Sequence, residues 1–525
     1  MPMNRIAIML LASLGVLFLC VGVALVGLPS IDLHRIVAER VSAALGRDVT
    51  IRTAHIVLGD PITIELQDAV VANAARDAGP ELGRLKHLAV ELDPWKLLRG
   101  RLTFRRVTID GMVIGLARST DGTGNWKSPD LTTPSTSVSL RARVPTIFDI
   151  ELTNARLTML TSGGQVLRIA ATSLSMHTTD DDTSIIVAVE GSYNDTAVRL
   201  DATLQSFLRL RDAATPFGAM VKATAAETIL TFEGTANDPL HADSVLGVFR
   251  ADVARLDTLL AVAAVPLHVN VPMTLTSPMT RQGDQWTLSS ITGKFAGAAY
   301  LGHAELAEGS RAQPYKLGMT LDVAQLKADA LLRATSAADG KVFDVSATAL
   351  RVDPAPGLLV DARLRTRQLL WRATGAGDLR LHLVIAPARI SVVETAVALA
   401  GGRITGAAEA VPAEQGAAIV SHIGMDGPDI GSLLRMAGID VGATSGRVHG
   451  RANLTLSGAT FGEAVATAQG QTVLTISDGQ VTRQLIHVAS GDLGLLFEPK
   501  AGMTPILCFL AIADVRDGRL CRCVS

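Results

Sequence analysis

Aromatic side chains are scarce in this sequence. Phe, Tyr and Trp make up 4% of its 525 residues, although 48% of the residues are hydrophobic and 47 are glycine. The apolar content is therefore mostly Ala, Val, Leu and Ile. Large rings usually fill thick globular cores, so this composition favours thinner layers of aliphatic side chains.

An excess of one charge sign is missing too. The formal net charge is −2, so nothing indicates nucleic acid as a partner. Only four cysteines occur, with no CxxC pair, and Cys521-Arg522-Cys523 is too closely spaced for a zinc half-site. A disulfide from Cys508 to Cys521 or Cys523 stays open in an oxidising compartment.

Catalytic motifs are absent as well. The chain has no HExxH, GxSxG, P-loop or GxGxxG pattern. None of its eleven histidines lies at ligand spacing from another His or Cys. We therefore predict that the protein is not an enzyme and has no catalytic, metal-binding or cofactor-binding residues.

A long uncharged run stands at the N-terminus. Ile6 to Leu28 contains 23 residues without a charge; at about 1.5 Å per residue it spans roughly 35 Å, enough to cross a hydrocarbon core of about 30 Å. The alternative is a cleaved secretory signal, whose apolar core is usually only about 7–15 residues. Arg5 is the only charged side chain before the run. This predicts a single-pass protein with a cytoplasmic N-terminus and its bulk across the membrane.

Period-two alternation dominates the rest of the chain, as expected for a sheet with one apolar and one wet face. The clearest candidates for the apolar face are Ile62, Ile64, Leu66, Phe148, Ile150 and Leu152. The predicted organisation is a cytoplasmic tip and anchor at 1–29, an α+β domain at 30–126, a Pro/Ser/Thr-rich linker at 127–138 and an elongated β body at 139–525.

Two internal repeats accompany this alternation. A short unit, Asp or Asn followed by Gly or Ala, starts at Asp68, Asp110, Asn154, Asp478 and Asp517, and is predicted to bend or end strands. A longer β-turn-β unit at 295–305 aligns with 399–409, which favours an elongated sheet over a single closed core.

Helices are predicted from capping residues and apolar stripes. One runs from an Asp32 cap to Leu45, with Gly46 at its end, and two short inserts span Asp322 to Leu332 and Asp429 to Ala437. Asp93, Pro94 and Gly100 predict one or two helical turns over 94–99.

A basic cluster begins within that turn and extends beyond it. The alternation slips at Arg105-Arg106, which predicts a bulge, and Asp110-Gly111 is expected to form the next turn. The cluster favours either contacts with anionic headgroups or a sheet edge guarded by charge. Its members are Lys96, Arg99, Arg101, Arg105 and Arg106.

The chain resembles the AsmA family of bacterial envelope proteins. The resemblance lies in the anchor, the helix ending Leu45-Gly46-Arg47, the segment from Leu92 to Trp126 and the segment from Leu454 to Val481. It implies a mainly β fold: an elongated, curled antiparallel sheet with an apolar groove, short helical inserts and one N-terminal transmembrane helix. It also implies an inner-membrane protein whose periplasmic body serves outer-membrane biogenesis and phospholipid transfer.

On this resemblance the six apolar residues become candidate groove lining, and the five basic residues candidate headgroup contacts. The implied partners are phospholipid, the inner membrane through Ile6 to Leu28, and an outer-membrane protein, with no nucleic acid and no cofactor. The alternative is a scaffold or assembly factor for outer-membrane proteins that acts by β-strand addition. The ending from Arg519 to Ser525 departs from the family pattern, so a truncated C-terminus is expected.

Overall fold

The computed structural model describes residues 33–73, 81–117, 125, 141, 144–160, 166–240, 242–256, 258, 271–309, 313–327, 346, 349–354, 357–371, 374–436, 444–482 and 503–522. The predicted anchor, the Asp32 cap, the linker at 127–138 and Cys523 lie outside these residues. In the described part of the chain, no helix is long and apolar enough to span a membrane.

The chain is mainly β, as the period-two alternation predicts. Its five described helices are short: α1 (Leu33–Leu45), α2 (Pro94–Leu98), α3 (Phe207–Arg211), α4 (Ile430–Met436) and α5 (Phe461–Ala466). The strands of the first half are β1 (Val49–Val57), β2 (Ile62–Ala72), β3 (Glu81–Leu92), β4 (Thr103–Ala117), β5 (Thr146–Leu160), β6 (Val166–Thr178), β7 (Ser184–Tyr193), β8 (Thr196–Gln205), β9 (Phe217–Ala225), β10 (Thr228–Asp238), β11 (Asp243–Val253) and β12 (Met273–Gln282). Those of the second half are β13 (Gln285–Phe295), β14 (Ala298–Ala307), β15 (Tyr315–Lys327), β16 (Leu358–Trp371), β17 (Thr374–Ala376), β18 (Leu379–Ala386), β19 (Arg389–Leu399), β20 (Gly402–Pro412), β21 (Ala417–Asp429), β22 (Ser445–Gly458), β23 (Gln469–Thr482), β24 (Met503–Arg516) and β25 (Arg519–Arg522).

The described residues group into two compact units. The first falls within Met1–Leu267, Thr274–Leu288 and Glu308–Gln313. The second falls within His268–Met273, Ser289–Ala307 and Pro314–Ser525.

In the first unit, strands β1 to β11 pair with their neighbours in chain order. All these pairs are antiparallel except β4 with β5, which run parallel. The strands on either side of the predicted linker are therefore hydrogen-bonded to each other. Helix α1 packs Val37 and Val41 against Val49 and Ile51 of β1, and Gly46 ends it with φ +61°, as predicted.

In the second unit, strands β14 to β25 also follow one another. The pairs are antiparallel except β15 with β16, and β16 pairs with both β17 and β18. Helix α4 packs against β21 and β22, and α5 packs against β22. The sheet of this unit is thus a succession of neighbours along the chain, with local helices at the strand ends.

The short Asp/Asn repeat forms a row of bends across the first unit. Asp68 (φ +49°), Gly111 (φ +67°) and Asn154 (φ +55°) all have left-handed backbone. Each lies inside a strand, at a level where regular pairing lapses for a residue or two. At this level the buried side of β2 changes from Ile64 and Leu66 to Ala69 and Val71. The repeat therefore bends neighbouring strands together, and Asp110-Gly111 does not form the predicted turn, because β4 continues through it.

The segment after β3 confirms the predicted helical turn over 94–99 and the predicted bulge at Arg105-Arg106. Asp93 caps α2 by accepting hydrogen bonds from the Trp95 and Lys96 amides, both at 3.0 Å, and Gly100 follows with φ +72°. The β3–β4 register shifts so that Glu91 faces Arg106 while Leu92 faces Phe104. The extra residue is Arg105, so the predicted bulge lies where the alternation slips.

The longer repeat forms two matching hairpin turns. Ala296 and Gly297 (φ +49° and +82°) connect β13 to β14, and Ala400 and Gly401 (φ +51° and +76°) connect β19 to β20. Positive φ at both central residues is the two-residue turn whose twist matches that of antiparallel strands.

Two other predictions have different outcomes. The insert from Asp429 is a helix, α4. The helix predicted from Asp322 is wrong as far as Lys327, because β15 continues through these residues with Val323 and Leu326 buried. Its spacing also suits a strand, and the parallel partner β16 supplies the hydrogen bonds.

The strand pairing excludes a disulfide between Cys508 and Cys521. Cys508 on β24 lies opposite Ser477 of β23, whereas Cys521 on β25 lies opposite Asp514 of β24. Six strand residues at about 3.3 Å each separate these two levels by about 20 Å, too far for a bond between Cys508 and Cys521.

Candidate functional site

The strand register gives the second unit a continuous apolar face. Paired residues on neighbouring strands point to the same side of a sheet, so the pairings trace rows across it. One such row consists of Tyr300, Val323, Thr366, Leu379, Val397, Ile404, Met425, Gly450, Leu474 and Ala511. A second row consists of Ala304, Met319, Ala362, Leu383, Val392, Ala408, Ser421 and Leu454. Both rows are dominated by small and aliphatic side chains.

The opposite face of the same sheet carries paired polar side chains, together with the exposed apolar side chains of Leu301, Val420 and Val473. His382 Nε2 lies 3.0 Å from Asp361 Oδ1, and His449 Nδ1 lies 3.0 Å from Asp426 Oδ1. His422 Nδ1 lies 2.8 Å from Asn453 Oδ1, beside an open concavity of about 350 Å³ that is also lined by Glu394 and Arg451. These charges and hydrogen bonds mark the solvent side, so the sheet of this unit has two chemically distinct faces.

Burial differs between the apolar faces of the two units. In the first-unit core cluster that includes α1, Leu88, Val90, Leu92 and Phe104 are 0–1% exposed. In the second unit, the apolar residues of β18 and several on β20 to β23 keep intermediate exposure. Partial exposure is expected where the side chains of a sheet face are shielded only by their neighbours on that face, with no second layer packed on them among the described elements. Burial still raises the pKa of the Tyr300 phenol on this face.

The apolar residues singled out from the sequence lie in the first unit. Ile64 and Leu66 are 4% exposed and belong to the core cluster that includes α1, and Ile62 and Ile150 pack against it. Leu152 is 8% exposed. Ile64 and Leu66 are therefore buried in a core that α1 shares with Phe207 of α3 and Ile185 of β7.

Phe148 departs from the phase of Ile150 and Leu152. The bulge in β4 brings Ile147 into the core instead, while the Phe148 ring lies 4.7 Å from the Lys96 ammonium in a cation–π contact.

The basic cluster is divided by the structure. Arg105 forms ion pairs with Asp60 at 2.6 Å and Asp93 at 3.6 Å. Burial raises the pKa of the Asp93 carboxyl, but the Lys96 amide and the Arg105 charge outweigh it and hold that pKa below its usual value. Arg99 and Arg101 are exposed, and neither has an ion-pair partner among the residues the structure describes.

Sequence reasoning missed the second-unit face, although its signal was available. Leu379, Leu381, Leu383 and Ile385 alternate with Arg380, His382 and Val384, as clearly as the residues chosen near the N-terminus. What the sequence cannot supply is which of the alternating strands a helix covers, because that depends on contacts between distant segments.

No metal-binding arrangement is found in the described residues: no group of three or more His, Cys, Asp or Glu side chains could hold an ion there. No family model, curated protein sequence or solved structure matches the chain. The family resemblance in the sequence therefore remains a prediction, and the functional argument rests on the sheet itself.

Proposed function

We propose that this protein is a membrane-anchored, AsmA-like envelope protein that holds or transfers phospholipid along an apolar β-groove. The observation that carries the proposal is the aliphatic face that crosses β14 to β24 in the second unit: it is buried at Tyr300 and Val323 but keeps intermediate exposure on β18 and on several residues of β20 to β23. Apolar surface of this extent in water is unfavourable by about 25 cal/mol per Å², and acyl chains are a ligand that would cover it. No catalytic group is needed for this function.

The two-faced sheet also suits the chemistry of a phospholipid. Acyl chains would lie on the apolar face, which includes Leu379 and Leu474. The opposite face carries paired charges that stay in water. A lipid headgroup would remain at the border of the apolar face, because burying an uncompensated charge is costly. We propose, as part of the same function, that the sheet is elongated and curled, that the protein lies in the inner membrane and that it serves outer-membrane biogenesis.

The test compares lipid bound to the purified full-length protein and two variants of β23. Leu474 lies on the apolar face and Thr475 on the other side of the same strand. We expect phospholipid in extracts of the wild type and of Thr475→Asp, and its loss from Leu474→Asp, with circular dichroism confirming that both variants are folded. Absence of lipid from the wild type, or equal lipid in both variants, would contradict the proposal.

A second candidate function, assembly of outer-membrane proteins by strand addition, is favoured by the edge of β24. Strand β25 pairs only with Ala513–Arg516, so the earlier part of β24 has β23 as its one described partner. Leu507, Leu510 and Ile512 on this strand are 90%, 58% and 55% exposed. Such edges can accept an added strand. This function predicts a co-purified outer-membrane protein and no lipid on the apolar face.

A further inference from the structure

One end of the first unit brings together three surface segments. Ile62 pairs with Leu92, so the β1–β2 turn and α2 lie at the same end of the sheet, and Trp95 Nε1 donates to Asp60 Oδ2 at 3.2 Å between them. Helix α3 joins them through Arg211, which donates to Val144 O and Thr146 Oγ1 at 3.1 and 3.0 Å. Thr146 in turn pairs with Thr103, just after α2. Residues 57–61, 94–101 and 207–211 are called the helical end.

Large apolar side chains are exposed at the helical end. Trp95 and Leu98 of α2 are 62% and 79% exposed, Val57 and Leu58 of the turn are 58% and 77%, and Leu208 of α3 is 67%. Single exposed hydrophobics are common on proteins, but their concentration at one end marks an interaction surface.

Cations surround these apolar side chains. Lys96, Arg99, Arg101 and Arg209 belong to the same three segments, and the last three are exposed. The nearby carboxylates of Asp60 and Asp93 already share Arg105, and Asp212 accepts from the Ala214 amide and the Thr215 hydroxyl. Trp and Leu beside Lys and Arg match the interface of an anionic bilayer, where rings sit among headgroups and cations meet phosphates.

Chain direction brings the start of α1 toward the same end. Only residues 46–48 connect α1 to β1, and the Val49 amide donates to Ser42 Oγ at 2.9 Å. Because Val37 and Val41 pack on β1, α1 runs back along that strand toward the β1–β2 turn. The uncharged run Ile6 to Leu28 ends four residues before α1 in the sequence.

We propose that the helical end docks on the surface of an anionic phospholipid bilayer, with Trp95, Leu98 and Leu58 in the headgroup region and Arg99 and Arg101 on phosphates. The inference rests on the proposed function in that the docked bilayer would be the lipid source. Docking fixes one end of the first unit against the membrane.

The test uses the full chain, with its four native cysteines replaced by serine, reconstituted in vesicles. An environment-sensitive fluorophore is attached at Leu98→Cys. The control is Leu160→Cys, an exposed leucine of the same unit (38%) at the C-terminal end of β5, opposite the helical end. Vesicles contain phosphatidylcholine alone or mixed with phosphatidylglycerol, and nitroxide-labelled lipid serves as a quencher.

We expect blue-shifted emission and lipid quenching at position 98 in the anionic vesicles, and water-like emission without quenching at position 160. Adding Arg99→Gln and Arg101→Gln should weaken partitioning about fivefold per charge. Water-like emission at 98 in both kinds of vesicle would overturn the proposal, as would equal quenching with and without phosphatidylglycerol. The result is independent of lipid on the second-unit face: loss of quenching at 98 with lipid still bound around Leu474 refutes docking alone.

Discussion

The buried ion pair of Arg281 and Glu308 gives the sharpest test of the packing in the first unit. Arg281 Nη2 lies 3.0 Å from Glu308 Oε1, and the two side chains are 5% and 8% exposed. Trp286 Nε1 donates to the same carboxylate oxygen at 2.7 Å, and Arg281 Nη1 donates to Ala242 O at 2.6 Å. The guanidinium also lies 5.0 Å from the Trp286 ring.

Glu308→Gln keeps the shape and an acceptor oxygen but removes the charge that balances the buried guanidinium. Removing one partner of a buried pair costs about 3–5 kcal/mol, and the remaining hydrogen bonds bring our expectation to about 2–4 kcal/mol. Replacing both partners with apolar residues, Arg281→Met with Glu308→Leu, should cost less than the single change, because no charge is left buried. The matched control is Glu190→Gln, whose partner Arg199 lies 2.8 Å away with both side chains more than half exposed, and which should change stability by less than about 1 kcal/mol.

The assay is equilibrium urea unfolding of the full chain in detergent, followed by Trp286 emission with the other three tryptophans replaced by phenylalanine. Trp286 contacts both members of the pair, so its signal reports this unit. The reasoning is refuted if Glu308→Gln costs no more than Glu190→Gln, or if the double replacement is as damaging as the single one.

Three further predictions follow from single contacts. Arg141, 1% exposed, donates to the carbonyls of Leu210, Asn237, Arg209, Asp212 and Thr215, so Arg141→Ala should cost about 2–4 kcal/mol in urea unfolding; a loss below about 1 kcal/mol would contradict it. At Gly247, a Cβ would lie 2.5 Å from Glu233 O and 2.6 Å from the Phe232 ring, whereas at Gly318 it would meet nothing within 4 Å, so Gly247→Ala should destabilise by about 1–3 kcal/mol and Gly318→Ala by less than about 0.5 kcal/mol. Burial raises the pKa of the Asp429 carboxyl, but hydrogen bonds from the Gly446 and Ser432 amides and the Ser432 hydroxyl outweigh it and lower that pKa below 3.8. The stabilisation that ionised Asp429 contributes is therefore present above the ordinary carboxyl pKa and is lost as the pH falls through the lowered pKa. In Asp429→Asn, the free energy of unfolding measured with urea should therefore fall less steeply with decreasing pH than in the wild type. The same pH dependence in both proteins would contradict this.

Local features of the fold were predictable because they depend on neighbours in sequence. The Asp93 cap, the Arg105 bulge and the two-residue turns at 296–297 and 400–401 all follow from residue types at fixed spacing. The strand at Asp322 was not predictable, because its residues suit either a helix or a strand. Pairing with a distant parallel strand decides between the two. The candidate site was predictable in kind but not in place. Alternation predicts an apolar face, whereas long-range packing buries Ile64 and Leu66 in the core that includes α1 and α3 and leaves Leu381 and Leu474 with intermediate exposure in the part of the chain that the structure describes.

The central claim, that lipid lies on one face of the second-unit sheet, is tested most directly by a photo-crosslinker scan along β18 in intact membranes. The scan places the crosslinker at each position from Leu379 to Ile385, whose side chains alternate between the two faces. The account predicts phospholipid adducts at Leu379, Leu381, Leu383 and Ile385, and none at Arg380, His382 and Val384. No adducts at the first set, or equal capture at both sets, would contradict it.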